Sequence, residues 1–160
     1  MLQNHMRASR PLFLVGGLYN VCLAEKALDA NNGKNTYVHP QADQSNNNHL
    51  WTIKQIDADN FLILSKRTGG ALDANGCTKE IYTHPNPNPN NNNHLWRFEK
   101  AGIYYMIVSA LCRKSLDANN DTGNLYLHPN PDPQNQNHRW RLKRAGDYRL
   151  LIPAVGDNLR

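Results

Sequence analysis

Three aspartates, three asparagines and three Tyr-x-His pairs recur at fixed register in this chain. The blocks Leu28-Asp29-Ala30-Asn31, Leu72-Asp73-Ala74-Asn75 and Leu116-Asp117-Ala118-Asn119 are each followed by Tyr-x-His-Pro and then Asn-His-x-Trp. The aspartates stand 44 residues apart, and Ala71 to Lys100 aligned without a gap on Ser115 to Arg144 leaves 16 of 30 positions identical. The apolar members, Leu28, Leu72, Leu116 and the tryptophans Trp51, Trp96 and Trp140, are what a shared core requires. Asp, Asn, Tyr and His are not core residues by preference. Folding alone gives little reason to copy a polar set three times, whereas three copies of one small binding site would. The chain therefore reads as a threefold binding module.

The same residues narrow the chemistry. The cysteines do not repeat, serine is scarce, and no nucleophile and base stand in a catalytic arrangement. The two histidines of each repeat are ten residues apart with no Cys or Glu in register, so no tight metal chelate and no cofactor is expected.

The elements that position these groups must be small. A repeat of about 44 residues buries too little to fold alone, so three copies should pack as one domain. Hydrophobic residues make up 39%, with 9 Pro and 10 Gly and little helical spacing, which favours short strands joined by turns. In the second repeat the strands are expected at Phe61 to Lys66, Gly70 to Ala74, Glu80 to His84 and His94 to Lys100, giving twelve over three repeats. Prolines cannot donate to a sheet and asparagines favour turns, so Pro85 to Asn93 should be a surface loop; its compositional alternative is low-complexity disorder. The expected division is an extension over 1–12, one domain over 13–153 with repeats near 13–57, 58–101 and 102–146 and a closing strand at 147–153, and a tail at 154–160. Tyr19 to Leu23 and Asp147 to Pro153 compete for the first-strand place of the first repeat.

No apolar run approaches the roughly 18 residues of a membrane span, so membrane insertion is not expected. Arg7 to Ala24 can be parsed as a secretory signal, but cleavage there would remove a strand; the expectation is a soluble protein that is cytoplasmic or exported without such a signal. Cys22, Cys77 and Cys112 form no even framework and are expected as free thiols. The net charge is +5, with basic residues crowded late in the chain from Arg97 to Arg149. That crowd is either a solvated face or an attraction to an anionic glycan, with nucleic acid not expected.

Threefold repeats of this length, each with Leu-Asp, then an aromatic or His, then Asn before a residue-x-Trp, resemble the ricin B-type lectins, and the order Asp-x-Asn then Tyr-x-x-Pro resembles their actinohivin-like branch. The resemblance implies an all-β fold, the β-trefoil with pseudo-threefold symmetry, and up to three glycan sites for galactose- or N-acetylgalactosamine-type or mannose-type sugars. It assigns as sugar-binding Asp29, Asn31, Tyr37, His39 and Asn48 in the first repeat. Asp73, Asn75, Tyr82, His84 and Asn93 follow in the second, and Asp117, Asn119, Tyr126, His128 and Asn137 in the third. A carboxylate binds vicinal hydroxyls with charge-assisted strength, amides return donor and acceptor, and a flat ring stacks on the less polar sugar face. Each aspartate could equally close an Asx-turn on its own backbone, and Asn31, Asn75 and Asn119 could cap the turn. One departure is His49, His94 and His138 where the family has Gln. Each repeat offers one placed carboxylate where glycoside hydrolysis needs two, so no enzyme is expected. The competing functions are a protein-interaction or polyanion-binding trefoil of the cytokine or inhibitor kind, and a glycan-targeting domain of a larger enzyme or toxin.

Overall fold

The computed structural model describes residues 25–119 and 122–155. They form β1 (Ala27–Asp29), β2 (Tyr37–His39), β3 (Trp51–Gln55), β4 (Phe61–Ser65), β5 (Ala71–Asp73), β6 (Tyr82–His84), β7 (Trp96–Ala101), β8 (Tyr104–Ser109), β9 (Ser115–Ala118), β10 (Leu125–His128), β11 (Trp140–Ala145) and β12 (Tyr148–Pro153). Tyr19 to Leu23, one of the two candidates for the first strand, lies outside the described residues.

Six strands close on themselves. Hairpins β3–β4, β7–β8 and β11–β12 are joined in a ring through Phe61 opposite Trp96, Tyr105 opposite Trp140 and Arg149 opposite Trp51. The three junctions use the same register, and closure leaves the barrel no open edge. β12 thus fills for the first repeat the place that β4 and β8 fill for the others. The remaining strands pair as three cap hairpins, β1–β2, β5–β6 and β9–β10. A six-stranded barrel carrying three hairpins is a β-trefoil.

The core repeats with the fold. Trp51, Trp96 and Trp140 are fully buried with Leu28, Leu72, Leu116, Ile63, Ile107 and Leu151. A buried indole N–H needs an acceptor, and each donates to a leucine carbonyl of its own repeat. Trp51 reaches Leu28 at 3.1 Å, Trp96 reaches Leu72 at 2.9 Å and Trp140 reaches Leu116 at 3.1 Å. Those bonds pin each cap hairpin to the barrel.

The Asn/Pro tract after β6 is exposed and runs into a short 3-10 turn at Asn92–His94, so His94 precedes the strand it was expected to begin. The same turn recurs at Asn47–His49 and Gln136–His138. In each, an asparagine side chain caps the turn: Asn46, Asn91 and Asn135 accept from the backbone N–H of Asn48, Asn93 and Asn137 at 2.9 Å.

The free-thiol expectation fails for two of the three cysteines, since Cys77 and Cys112 form a disulfide. Cys77 sits in the turn after Asp73 and Cys112 in the turn between β8 and β9, 35 residues apart. Their counterparts one repeat earlier are Gly33 and Thr68, where a Cβ built on Gly33 would lie 3.6 Å from the Thr68 methyl. The fold brings these two turns together, so cysteines that never repeat still meet. Cys22 lies outside the described residues.

Candidate functional site

The cap hairpins place the polar set. Register sets Asp29 opposite Tyr37, Asp73 opposite Tyr82 and Asp117 opposite Tyr126, and two residues further along the same strand face stand His39, His84 and His128. The Asn-capped turn then brings His49, His94 and His138 beneath each aspartate, with His Nε2 2.9 Å from Asp Oδ2 in all three repeats.

The direction of that bond follows from the other ring nitrogen. His49 Nδ1 accepts the backbone N–H of Asp43 at 2.9 Å, His94 Nδ1 that of Asn88 at 3.0 Å and His138 Nδ1 that of Asp132 at 3.1 Å. An Nδ1 that accepts has no proton, so in the neutral ring Nε2–H donates to the carboxylate. These histidines are fully buried with both nitrogens engaged. They fix the aspartate and the start of the preceding loop, and no ring nitrogen is left for a ligand.

The aspartates are themselves nearly covered, with side chains 5% exposed at Asp29, 6% at Asp73 and 1% at Asp117. Oδ1 of Asp29 and of Asp73 accepts the N–H two residues on, from Asn31 and Asn75, at 2.6 Å. The Asx-turn bond is therefore present, alongside the histidine bond. Burial pushes the Asp29 carboxyl up, but the hydrogen bonds from His49 and Asn31 and the charges of His49 and His39 outweigh it and hold the group below the usual carboxylate range. Burial, followed by the neighbouring aspartate charge, raises the hydroxyls of Tyr37, Tyr82 and Tyr126 above their ordinary value.

The asparagines divide into two roles. Asn48 Oδ1 accepts from the Asn32 backbone N–H at 2.9 Å and its Nδ2 donates to Asn32 Oδ1 at 3.1 Å, while Asn93 Oδ1 accepts from the Gly76 N–H at 2.7 Å. Asn32 and Gly76 have φ of 54° and 70°, a left-handed backbone that Asn and Gly tolerate best. Asn48 and Asn93 remain half-exposed beside the histidines. Asn31 and Asn75 instead turn inward on their own loop, donating to the Asn35 and Glu80 carbonyls at 2.9 and 2.8 Å.

In the third repeat the Asn119 N–H goes to the Asn124 carbonyl, and Asn119 Oδ1 accepts from the Thr122 N–H at 3.2 Å. Asp117 Oδ1 is buried there without a hydrogen-bond partner. The residue that corresponds by repeat to Asn32 and Gly76 is Asn120, which lies outside the described residues.

Asp29, His39 and His49 bring an oxygen and two ring nitrogens within 4.8 Å of one another, a grouping that invites a cation. The tautomers oppose one. His39 Nδ1 accepts the Gln41 N–H at 3.0 Å, as His84 and His128 accept from Asn86 and Asn130 at 3.1 Å, so Nε2 carries the proton in both histidines. A metal needs that lone pair. The half-exposed His39, His84 and His128 therefore offer N–H donors.

The histidine–aspartate pairing was the feature missed in the sequence. Its signal was the His-x-Trp repeated ten residues after each Tyr-x-His, since an Nε2–H imidazole supplies one acceptor and one donor to its surroundings. Part of the basic crowd is also consumed internally. Buried Arg141 pairs with Glu25, Lys143 donates to Glu25 Oε1 at 2.8 Å, and Arg139 lies 5.3 Å from the Tyr104 ring centre.

No protein-family model matches the sequence, and no curated protein matches it. Solved structures do. The designed threefold-symmetric protein ThreeFoil superposes with a TM-score of 0.61 at 23% identity, over 72% of this chain and 89% of its own. A GlcNAcα1-4Gal-releasing endo-β-galactosidase from Clostridium perfringens gives 0.63 at 18%, over 82% of this chain and 31% of that one. Polyporus squamosus lectin bound to Neu5Acα2-6Galβ1-4GlcNAc gives 0.56 at 20%, over 72% and 42%. The chain thus spans less than half the length of the last two. At these identities the likenesses bear on architecture, and with the closed six-strand ring and its three hairpins they make the chain a β-trefoil protein.

Proposed function

We propose that the chain is a non-enzymatic glycan-binding protein, a lectin presenting up to three sites on one domain spanning about residues 13–153. The observation that carries this reading is one polar arrangement of Asp, Tyr, His and Asn copied three times around a β-trefoil, each copy fixed from below by a buried histidine. Sugar hydroxyls would accept from the imidazole Nε2–H of His39, His84 or His128 and exchange bonds with the Asn48, Asn93 or Asn137 amides. The exposed edge of Asp29 or Asp73 supplies a charged acceptor, and the tyrosine ring supplies a flat surface. A site of a few hydrogen bonds and one stack reaches a dissociation constant of about 0.1 to 1 mM, and three sites on one glycan surface gain around 10² to 10⁴. The ricin B-type likeness leaves galactose-type and mannose-type sugars both open.

One placed carboxylate per repeat, where glycoside hydrolysis needs a pair, supports binding over hydrolysis. Two further observations bear on the alternatives. Arg139, Arg141 and Lys143 are engaged within the fold, which weakens the polyanion reading. The β-trefoil is only 31% of the galactosidase chain it matches, which keeps a targeting domain of a larger protein as the second reading. Of the two locations expected from sequence, cytoplasmic or exported, the Cys77–Cys112 disulfide supports the exported, oxidising one. The test is a glycan array at low and high salt. Neutral-sugar binding that persists at about 1 M salt, where the screening length is roughly 3 Å, supports the lectin; binding only to polyanions, lost in salt, overturns it.

A further inference from the structure

The barrel strands join repeat to repeat in one register, but the three junctions between the cap hairpins are not alike. At each, the turn after one repeat's aspartate meets the cap strand of another. The Thr36 N–H and hydroxyl both reach the Ile81 carbonyl at 2.9 Å, closing the first turn onto the approach to β6. The Val38 N–H reaches the Gly123 carbonyl at 2.8 Å and Tyr37 bridges to Asn124, closing the third turn onto β2. At the remaining junction, between the second turn and β10, no such backbone bond is made among the described residues. The turn is tied sideways through Cys77 to Cys112, and a cleft of about 690 Å³ opens instead, in the size range of small-molecule sites.

The third site differs on the same side. Asp117 is shut in, its side chain 1% exposed and Oδ1 without a partner, while Tyr126 stands 42% exposed and Tyr37 and Tyr82 are half-buried. Tyr126 lies on the wall of the cleft. Around it are Asn35, Asn75, Thr78, Lys79 and Glu80. These supply amides, a hydroxyl, one cation and one anion beside a bare aromatic face, so donors and acceptors are both present with no net charge. That set suits a neutral polyhydroxylated chain better than a polyanion.

We infer that the third repeat, unlike the first two, is an extended site: Tyr126 stacks on one sugar, and the cleft holds the next residue or two of a neutral oligosaccharide. This rests on the glycan reading above and sharpens it, since the first two repeats would take single sugars at the small exposed edge of Asp29 or Asp73 and the third would select for chain length. Among the described residues the closing backbone bond is missing at the junction that Tyr126 lines, so the gain from a longer chain should appear at that site.

The experiment is calorimetry with methyl α-mannoside, methyl β-galactoside and N-acetylgalactosamine, each against its linear di- and trisaccharide. The expected result is one class of site, one per chain, that binds the longer probe at least about tenfold tighter than the monosaccharide. Thr78→Trp, which fills the cleft, and Tyr126→Ala should abolish that gain while monosaccharide binding elsewhere and the melting temperature hold. A gain equal at all sites, no gain, or one that survives Thr78→Trp overturns the inference and leaves the lectin reading standing. Failure of every probe, monosaccharides included, sinks both.

Discussion

Each tryptophan hands its indole proton to a leucine carbonyl at 2.9 to 3.1 Å, and each inner histidine meets its aspartate at 2.9 Å, in all three repeats alike. At the rim the copies diverge. Two turns close on neighbouring strands and one opens into a cleft, two tyrosines are half-buried and one is exposed, and Asp117 lacks the N–H that Asp29 and Asp73 receive. The interior repeats because a buried indole or imidazole needs its partners, whereas the turns around it face water and can be altered one copy at a time, even where, as at Asp117, the change leaves a buried oxygen unpaired. Conformity marks what the fold needs, and divergence marks where binding can be specialised.

Breaking the interior should have the largest effect. Trp96→Ala removes a fully buried indole and its bond to Leu72, and a cost of about 3 to 5 kcal/mol is expected. Chemical denaturation measures it. A variant that keeps its midpoint and loses only ligand binding would mean that Trp96 belongs to a site.

The disulfide is a rim feature fastened to the interior. Replacing Cys77 and Cys112 by serine frees a 35-residue loop in the unfolded chain, and a loss of about 2 to 4 kcal/mol is expected. The same loss should appear on adding reductant to the parent protein and be absent in the double variant. No difference in either measurement would separate the two turns that the fold holds together.

Most of the interior was legible in the sequence. Leu28, Leu72, Leu116 and the tryptophans repeat because three hairpins must fill one centre, and that periodicity gives three packed copies of one small all-strand unit, while the trefoil itself was what the family resemblance implied. Asp147 to Pro153 was visible as a strand, but its place in the ring depends on how the two ends of the chain meet. The disulfide was hidden because cysteines that never repeat look unpaired; the repeat offset relating Gly33 and Thr68 to Cys77 and Cys112 was the clue. The open junction was illegible in principle, since turns of similar composition differ only in whether one backbone N–H finds a carbonyl.

Acid sharpens the contrast between buried and exposed carboxylates. Asp29 and the exposed Asp57 are both held below the ordinary value. At Asp29 burial is outweighed by His49 and Asn31, while at Asp57 hydrogen bonds from Asn60 and Asp59 are responsible. A group depressed on folding contributes stability above its unfolded value of about 3.9, and that contribution is lost as pH falls through the folded value. Following both carboxyls by carbon-13 NMR as pH falls below about 4, each should protonate late. Agreement of Asp29 with a free aspartate would remove the His49 bond from the account of its position.

The smallest effect should come from the change that looks most drastic by residue type. In the Nε2–H tautomer, His94 accepts from the Asn88 N–H through Nδ1 and donates to Asp73 through Nε2. A glutamine carbonyl and amide can make the same two bonds. A triple His49→Gln, His94→Gln, His138→Gln variant should therefore lose less than about 1 kcal/mol per site, within the net worth of one hydrogen bond. His94→Leu, which strands the buried Asp73 and the Asn88 N–H, should cost about 1 to 3 kcal/mol at that one site. Chemical denaturation of the three proteins ranks them. A triple glutamine variant that loses as much at each site as His94→Leu loses at one would mean that the amide does not reproduce the two bonds of the imidazole, and that the ring itself holds the loop to the aspartate.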